Sequence, residues 1–260
     1  MNAPGAKLVS SCVTGLALAA VLFGCTVQAN EQRKPHTTLF IGVDASGSFK
    51  HSGYYDNALT FLAHYIYGHL HELGGLEKPK VLFVASVGGQ NVNEPKTFHP
   101  IHDFEGKEVA QIESDLRKWF PPSDKVTDFN PFFQEVARIT KERNLVLAPI
   151  TLMVVTDGIP DAAASGGKAG TQALYERINL KPLEYLARNV TVRLAYVSPK
   201  VGEQWRTHVP RQRVRLWTVD AEVMKGWQGQ MQAEVDLSKQ DKLWKWVEDN
   251  VDFRVRANRV

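Results

Sequence analysis

The sequence predicts an α/β fold built on a mostly parallel sheet. Apolar runs of strand length alternate with stretches whose apolar residues recur every three or four positions. The two clearest runs, 39–43 and 150–155, are nearly continuous rather than alternating, as strands covered on both faces are. Both stop abruptly at a carboxylate, Asp44 in the first case and Asp157 after Thr156 in the second.

The elements follow in chain order. After the first strand, Ser52 or Gly53 opens a helix in which Tyr55, Leu59, Leu62, Ile66 and Leu70 make one apolar stripe, ended by Gly74-Gly75. Residues 81–87 form a second buried strand. A polar loop over 88–96 leads to a weaker extended segment at 97–104, and the pair reads as a hairpin with a long turn. A helix over 107–120 buries Val109, Ile112, Leu116 and Phe120 and is stopped by Pro121-Pro122. The next helix carries Phe132, Val136 and Ile139 inward. Residues 158–170 are rich in Ala, Gly and Ser and read as a loop. A helix over 174–188, interrupted at Pro182, a strand at 190–197, a strand at 214–219 and a closing helix over 237–251 complete the chain. Ser238 with Asp241 resembles a capping box at the start of that last helix.

In open sheets of this kind ligands bind beyond the carboxyl ends of the strands. Asp44 and Asp157 both lie at such ends, which brings them near one another. The first is followed by Ser46 and Ser48, so Asp-x-Ser-x-Ser supplies three small, hard, oxygen-bearing side chains, and Gly47 lets the backbone turn tightly between them. Oxygen donors without thiol or imidazole suit Mg²⁺ or Mn²⁺ better than Zn²⁺. Taken alone, this stretch reads equally well as a Ser turn capping the next helix.

Together these residues resemble the metal-ion-dependent adhesion site of the von Willebrand factor A domain family. Asp44, Ser46 and Ser48 match its first motif, Thr127 its second and Asp157 its third, although Val126 stands where the family often has Gly. The resemblance covers about residues 37–251. It implies a Rossmann-like, doubly wound, mostly parallel central sheet flanked by helices, with one antiparallel edge strand. It also implies a divalent cation, Mg²⁺ first with Mn²⁺ or Ca²⁺ as substitutes, that accepts an acidic side chain from a protein partner. The loops 88–96, 158–170 and 198–204 are expected on the metal face. Metal-bridged recognition, not catalysis, is the implied function. A scaffold subunit of an envelope complex with a purely structural ion is the alternative, and a metal-activated hydrolase ranks last because no general base is evident.

Composition sets the remaining bounds. A 260-residue chain with a formal net charge of +3 has no basic run that argues for nucleic acid. Residues 1–24 carry Lys7 as their only charge and read as an export signal. They end in Leu22-Phe23-Gly24-Cys25, which resembles a bacterial lipobox with Cys25 as the lipidation site. A small-residue cleavage site after Ala29 competes with it. Either way the protein is expected in a bacterial cell envelope, as an outer-membrane lipoprotein facing the periplasm or the surface or as a soluble periplasmic product. Residues 25–36 are expected as a tether and 252–260, with Arg254, Arg256 and Arg259, as a solvated basic tail. With Cys12 and Cys25 the only cysteines, the folded part has no disulfide framework.

Other signals fail on inspection. Ser46 lacks the flanking glycines of a hydrolase nucleophile elbow. Gly167-Lys168 lacks the hydroxyl of a phosphate-binding loop. His64, His69 and His71 are expected on a solvated helix face rather than in a zinc site. Trp217 is expected to pack in the sheet, and one of Trp244 and Trp246 to lie half-buried.

Overall fold

The computed structural model describes residues 37–146, 148–161 and 168–252. The export signal, Cys25, Ala29, the tether and the three arginines of the tail lie outside the described residues.

Six strands, β1 (Thr38–Val43), β2 (Val81–Ser86), β3 (Phe98–Pro100), β4 (Ile150–Val155), β5 (Val190–Val197) and β6 (Arg215–Asp220), form one sheet in the order β3-β2-β1-β4-β5-β6. All neighbours are parallel except β2 and β3, so the expected antiparallel edge strand is present. This is the doubly wound order, and its crevice opens where the connections diverge, between β1 and β4.

Side chains along β1 and β4 alternate between two cores. Leu39, Ile41, Val43, Met153 and Val155 join the one built with α2 (Tyr55–Leu70), α3 (Val109–Trp119) and α8 (Asp241–Asn250). Phe40, Leu152 and Val154 join the other, built with α4 (Phe129–Glu142). Covered on both faces, the central strands are apolar at all but Thr38 and Thr151, which is why their runs lack a period of two. Gly42 is the one small residue in β1. A Cβ there would stand 2.8 Å from Val87 and 3.2 Å from the Phe132 ring, so the glycine lets α4 settle onto the strand.

Some expectations need correction. The helix expected over 174–188 is reduced to α5 (Gln172–Glu176) and a single 3-10 turn, Lys181–Leu183. Pro182 supplies no amide proton, and Asn179 ties its amide to the Asn130 side chain instead of to a helix (2.7 Å). Residues 198–204 are not a loop but the start of α6 (Pro199–His208), with Ser198 as its cap. Two short helices, α1 (Gly47–His51) and α7 (Ala221–Lys225), complete the set among the described residues. The capping box at Ser238 does not form, because Asp236 takes the Ser238 amide and α8 starts at Asp241. His69 is buried, its ring bonded to the Glu77 carbonyl at 2.9 Å, because the end of α2 runs beneath the segment that follows it. Trp217 is 38% exposed on the edge strand, whereas Trp244 is buried and Trp246 half-buried.

Candidate functional site

The five candidate residues come from three segments that the backbone laces together at the carboxyl end of the sheet. β1 runs straight into Asp44, whose amide donates to the Val155 carbonyl of β4 at 3.0 Å. The chain then turns so that Ser46 caps α1, its hydroxyl accepting the Phe49 amide at 3.4 Å. The second segment runs alongside the first: the Asp124 amide donates to the Ala45 carbonyl (3.0 Å) and the Gly47 amide to the Asp124 carbonyl (3.3 Å). Val126 pairs with Gly89, and Thr127 exchanges both backbone bonds with Asp161 of the third segment at 3.1 and 3.0 Å. Thr127 is thereby held, buried, between the loops that follow β2 and β4.

Gly88 permits this approach. A Cβ at Gly88 would meet the Val126 carbonyl oxygen at 2.7 Å and an Asp124 carboxylate oxygen at 2.9 Å. Gly158 plays the matching part after β4, turning at a φ of +74°, with its carbonyl accepting the Trp205 indole N–H at 2.7 Å. So the segment expected as a metal-face loop at 198–204 does border the site, as a helix bracing the third segment.

Asp44, Ser46, Ser48 and Asp157 bring their side chains together, while Thr127 is tied in through its backbone. Asp44 is fully buried. One carboxylate oxygen accepts the Ser46 amide at 3.0 Å and the other the Thr156 hydroxyl at 2.6 Å. The hydroxyls of Ser46 and Ser48 stand 3.2 Å apart. Asp157 accepts the Ile159 amide at 3.0 Å, and Ser48 lies close enough to hold its carboxyl down against burial. Burial, and then the charge of Asp157, push the Asp44 carboxyl up to about 7 against hydrogen bonds from Thr156 and Ser46. Burial likewise raises Asp157. Among the described residues no basic side chain offsets either carboxylate.

That donor set fits a hard divalent cation. Two carboxylates that repel in a desolvated site, with neutral hydroxyls beside them, meet the electrostatic condition that a bound dication relieves. No group of three or more His, Cys, Asp or Glu side chains suited to a metal occurs among the described residues. An ion here must therefore draw on hydroxyls as well as on Asp44 and Asp157.

Two participants are absent from the motif. Thr156 bridges the Asp44 carboxylate and the Gly158 amide (2.8 Å), and its only sequence signal is a hydroxyl just ahead of Asp157. Asp124 accepts the Ser86 hydroxyl at 2.8 Å, and burial raises its carboxyl too. Beside Thr127 a cavity of about 270 Å³ opens, lined by Val92, Asn93, Phe129, Leu174 and Arg177 among others.

No protein-family profile matches the chain, and no curated protein sequence matches it. Solved structures do. Proximal thread matrix protein 1 from the mussel byssus aligns with a TM-score of 0.42 at 12% identity, over 83% of this chain and 48% of that one. The pilus adhesin SpaC from Lactobacillus rhamnosus GG, in an open conformation, aligns with a TM-score of 0.43 at 10% identity, over 84% of this chain and 31% of that one. The chain thus spans less than half the length of either. Likeness at this level concerns the path of the chain and not activity.

Proposed function

We propose that this chain is a von Willebrand factor A-like recognition protein that binds a protein partner through a divalent cation. Asp44, Ser46, Ser48, Thr127 and Asp157 would hold the ion, with Mg²⁺ the best match to their hard oxygens and Mn²⁺ or Ca²⁺ as substitutes. The observation that carries the proposal is the convergence of buried Asp44 with Asp157 and the paired hydroxyls of Ser46 and Ser48 at the β1–β4 crevice. When bound, the ion supplies a positive centre that an acidic side chain of the partner can reach.

The chain's own residues do the rest. Thr156 and the Ser46 amide fix the Asp44 carboxylate, and Ser48 stands between the Ser46 hydroxyl and Asp157. The cavity beside Thr127 offers room for partner residues that flank the acid. Export, lipid anchoring through Cys25 and a place in the bacterial envelope belong to the same proposal and rest on the sequence.

One observation favours the scaffold alternative. Both Asp44 oxygens already accept protein hydrogen bonds, and the one from Thr156 ties the ends of β1 and β4 together, as a purely structural ion site would. Capture from envelope extract, followed by identification of the retained proteins, separates the two. A partner held in Mg²⁺ and lost both in chelator and with Asp157→Ala supports bridged recognition. Capture indifferent to both, with melting temperature lowered by chelator, supports the scaffold. If neither capture nor melting responds, the metal site is wrong.

A further inference from the structure

At the edge of the sheet opposite Asp44, the connections leading into β5 and β6 form a basic surface. From residue 204 to residue 219 the sequence has four arginines, one histidine and no acid. The connection into β5 adds Lys181 and Arg188, with Glu184 as its nearest acid. Glu184 does not face them. It is 5% exposed, and its carboxylate accepts the backbone amides of Gln212, at 2.7 Å, and Arg213.

Those two bonds lace the connections into one surface. Tyr185, 74% exposed, comes to lie beneath the Arg213 guanidinium, 5.3 Å from its ring centre. Arg211 is spent on carbonyls at the end of α6. Arg188, Arg213 and Arg215 are exposed, and among the described residues none forms an ion pair with a carboxylate. Exposed Trp217 stands two residues from Arg215, on the same face of β6.

The position of this surface points to its partner. In the sheet register Thr38 is level with Ile150 and Val190, and Arg215 pairs with Thr191. The chain therefore enters the domain at Thr37 on the same edge as the arginines, while the acidic crevice lies at the other edge. Cys25 stands twelve residues upstream of Thr37, a reach of roughly 40 Å at most when extended. We propose that this edge rests on an anionic lipid surface and turns the Asp44 site away from the membrane. Exposed arginines among interfacial Tyr and Trp are the chemistry such a surface selects. The proposal stands or falls independently of an ion at Asp44.

The test uses the chain from Cys25 onward with Cys25→Ser, so that no acyl group contributes. Both cores lie within residues 37–252, so removal of residues 1–24 leaves them whole. Co-sedimentation with phosphatidylcholine vesicles is compared with vesicles that also contain phosphatidylglycerol. Binding is expected on the anionic vesicles alone, weakening as salt is raised. Arg188→Gln, Arg213→Gln and Arg215→Gln together should weaken it on the order of a hundredfold, each guanidinium contributing about fivefold. The corresponding Lys substitutions should retain most of it. An unchanged urea midpoint checks that the variants fold, and the single substitutions serve if the triple variant does not. Equal binding to neutral vesicles, anionic binding indifferent to the substitutions, or retention on RNA or an acidic protein without vesicle binding would each overturn the proposal.

Discussion

In the absence of a divalent ion, the stability of this protein should fall as pH rises from 5 to 8. Burial and Asp157 hold the Asp44 carboxyl up to about 7, against an ordinary value of 3.8. Between those values the folded state binds the proton that the unfolded chain has released, so stability declines with pH. The contribution is fully present below about pH 4 and is lost as pH passes the folded value near 7. At about 1.4 kcal/mol per pH unit, the interval corresponds to about 4 kcal/mol, a large share of the ~5–15 kcal/mol that holds a typical domain folded. Asp157, raised by burial, acts in the same direction. His64 acts in the opposite one, because burial lowers its pKa and its contribution grows as pH rises. Urea unfolding in chelator at each pH, for the parent and for Asp44→Asn, separates the two, since His64 is common to both proteins. The parent should lose stability towards pH 8 and Asp44→Asn should lose clearly less, keeping only the share that burial of Asp157 contributes, while excess Mg²⁺ should flatten the parent's decline. A parent whose stability in chelator is constant or rises over this range, or an Asp44→Asn variant with the same decline, would refute the reasoning.

Three further substitutions probe how the site is held. Gly88→Ala places a Cβ against backbone at Val126 and should cost about 1–3 kcal/mol in urea unfolding, and it should weaken any ligand of the Thr127 loop. Trp205→Phe removes the indole donor to the Gly158 carbonyl and should cost about 1–2 kcal/mol, with faster amide exchange at residues 158–161. Asp252→Ala removes a charge-assisted hydrogen bond to buried Arg193, and should cost about 1.5–3 kcal/mol.

The central fold was legible because its strands are covered on both faces and so stand out as apolar runs. Asp44 and Asp157 were legible as neighbours because each ends such a run, and the sheet order places β1 beside β4. What escaped depends on contacts between distant segments. Thr156 bonds Asp44 across the sheet, and Asp124 reaches Ala45 and Ser86 through a loop whose path no periodicity records. α6 did carry a signal, a Ser cap with Pro at the first helical position, but its apolar stripe is thin: Trp205 and Gly202 alone are buried. The helix expected over 174–188 misled in the other direction, since Tyr175, Leu183 and Leu186 reach the core from separate turns rather than from one helix. Trp217 is exposed because β6 is an edge strand, and its apolar residues did not reveal which face a helix leaves uncovered.

The most direct measurement is calorimetric titration of the metal-free protein with Mg²⁺ at pH 8, where Asp44 is ionised. One ion per chain is expected, with binding weakened by Ser48→Ala and by Thr127→Ala and abolished by Asp157→Ala while each variant keeps its fold. No binding of Mg²⁺, Mn²⁺ or Ca²⁺, or binding that all three substitutions leave unchanged, would contradict an ion cradle at Asp44-Ala45-Ser46-Gly47-Ser48.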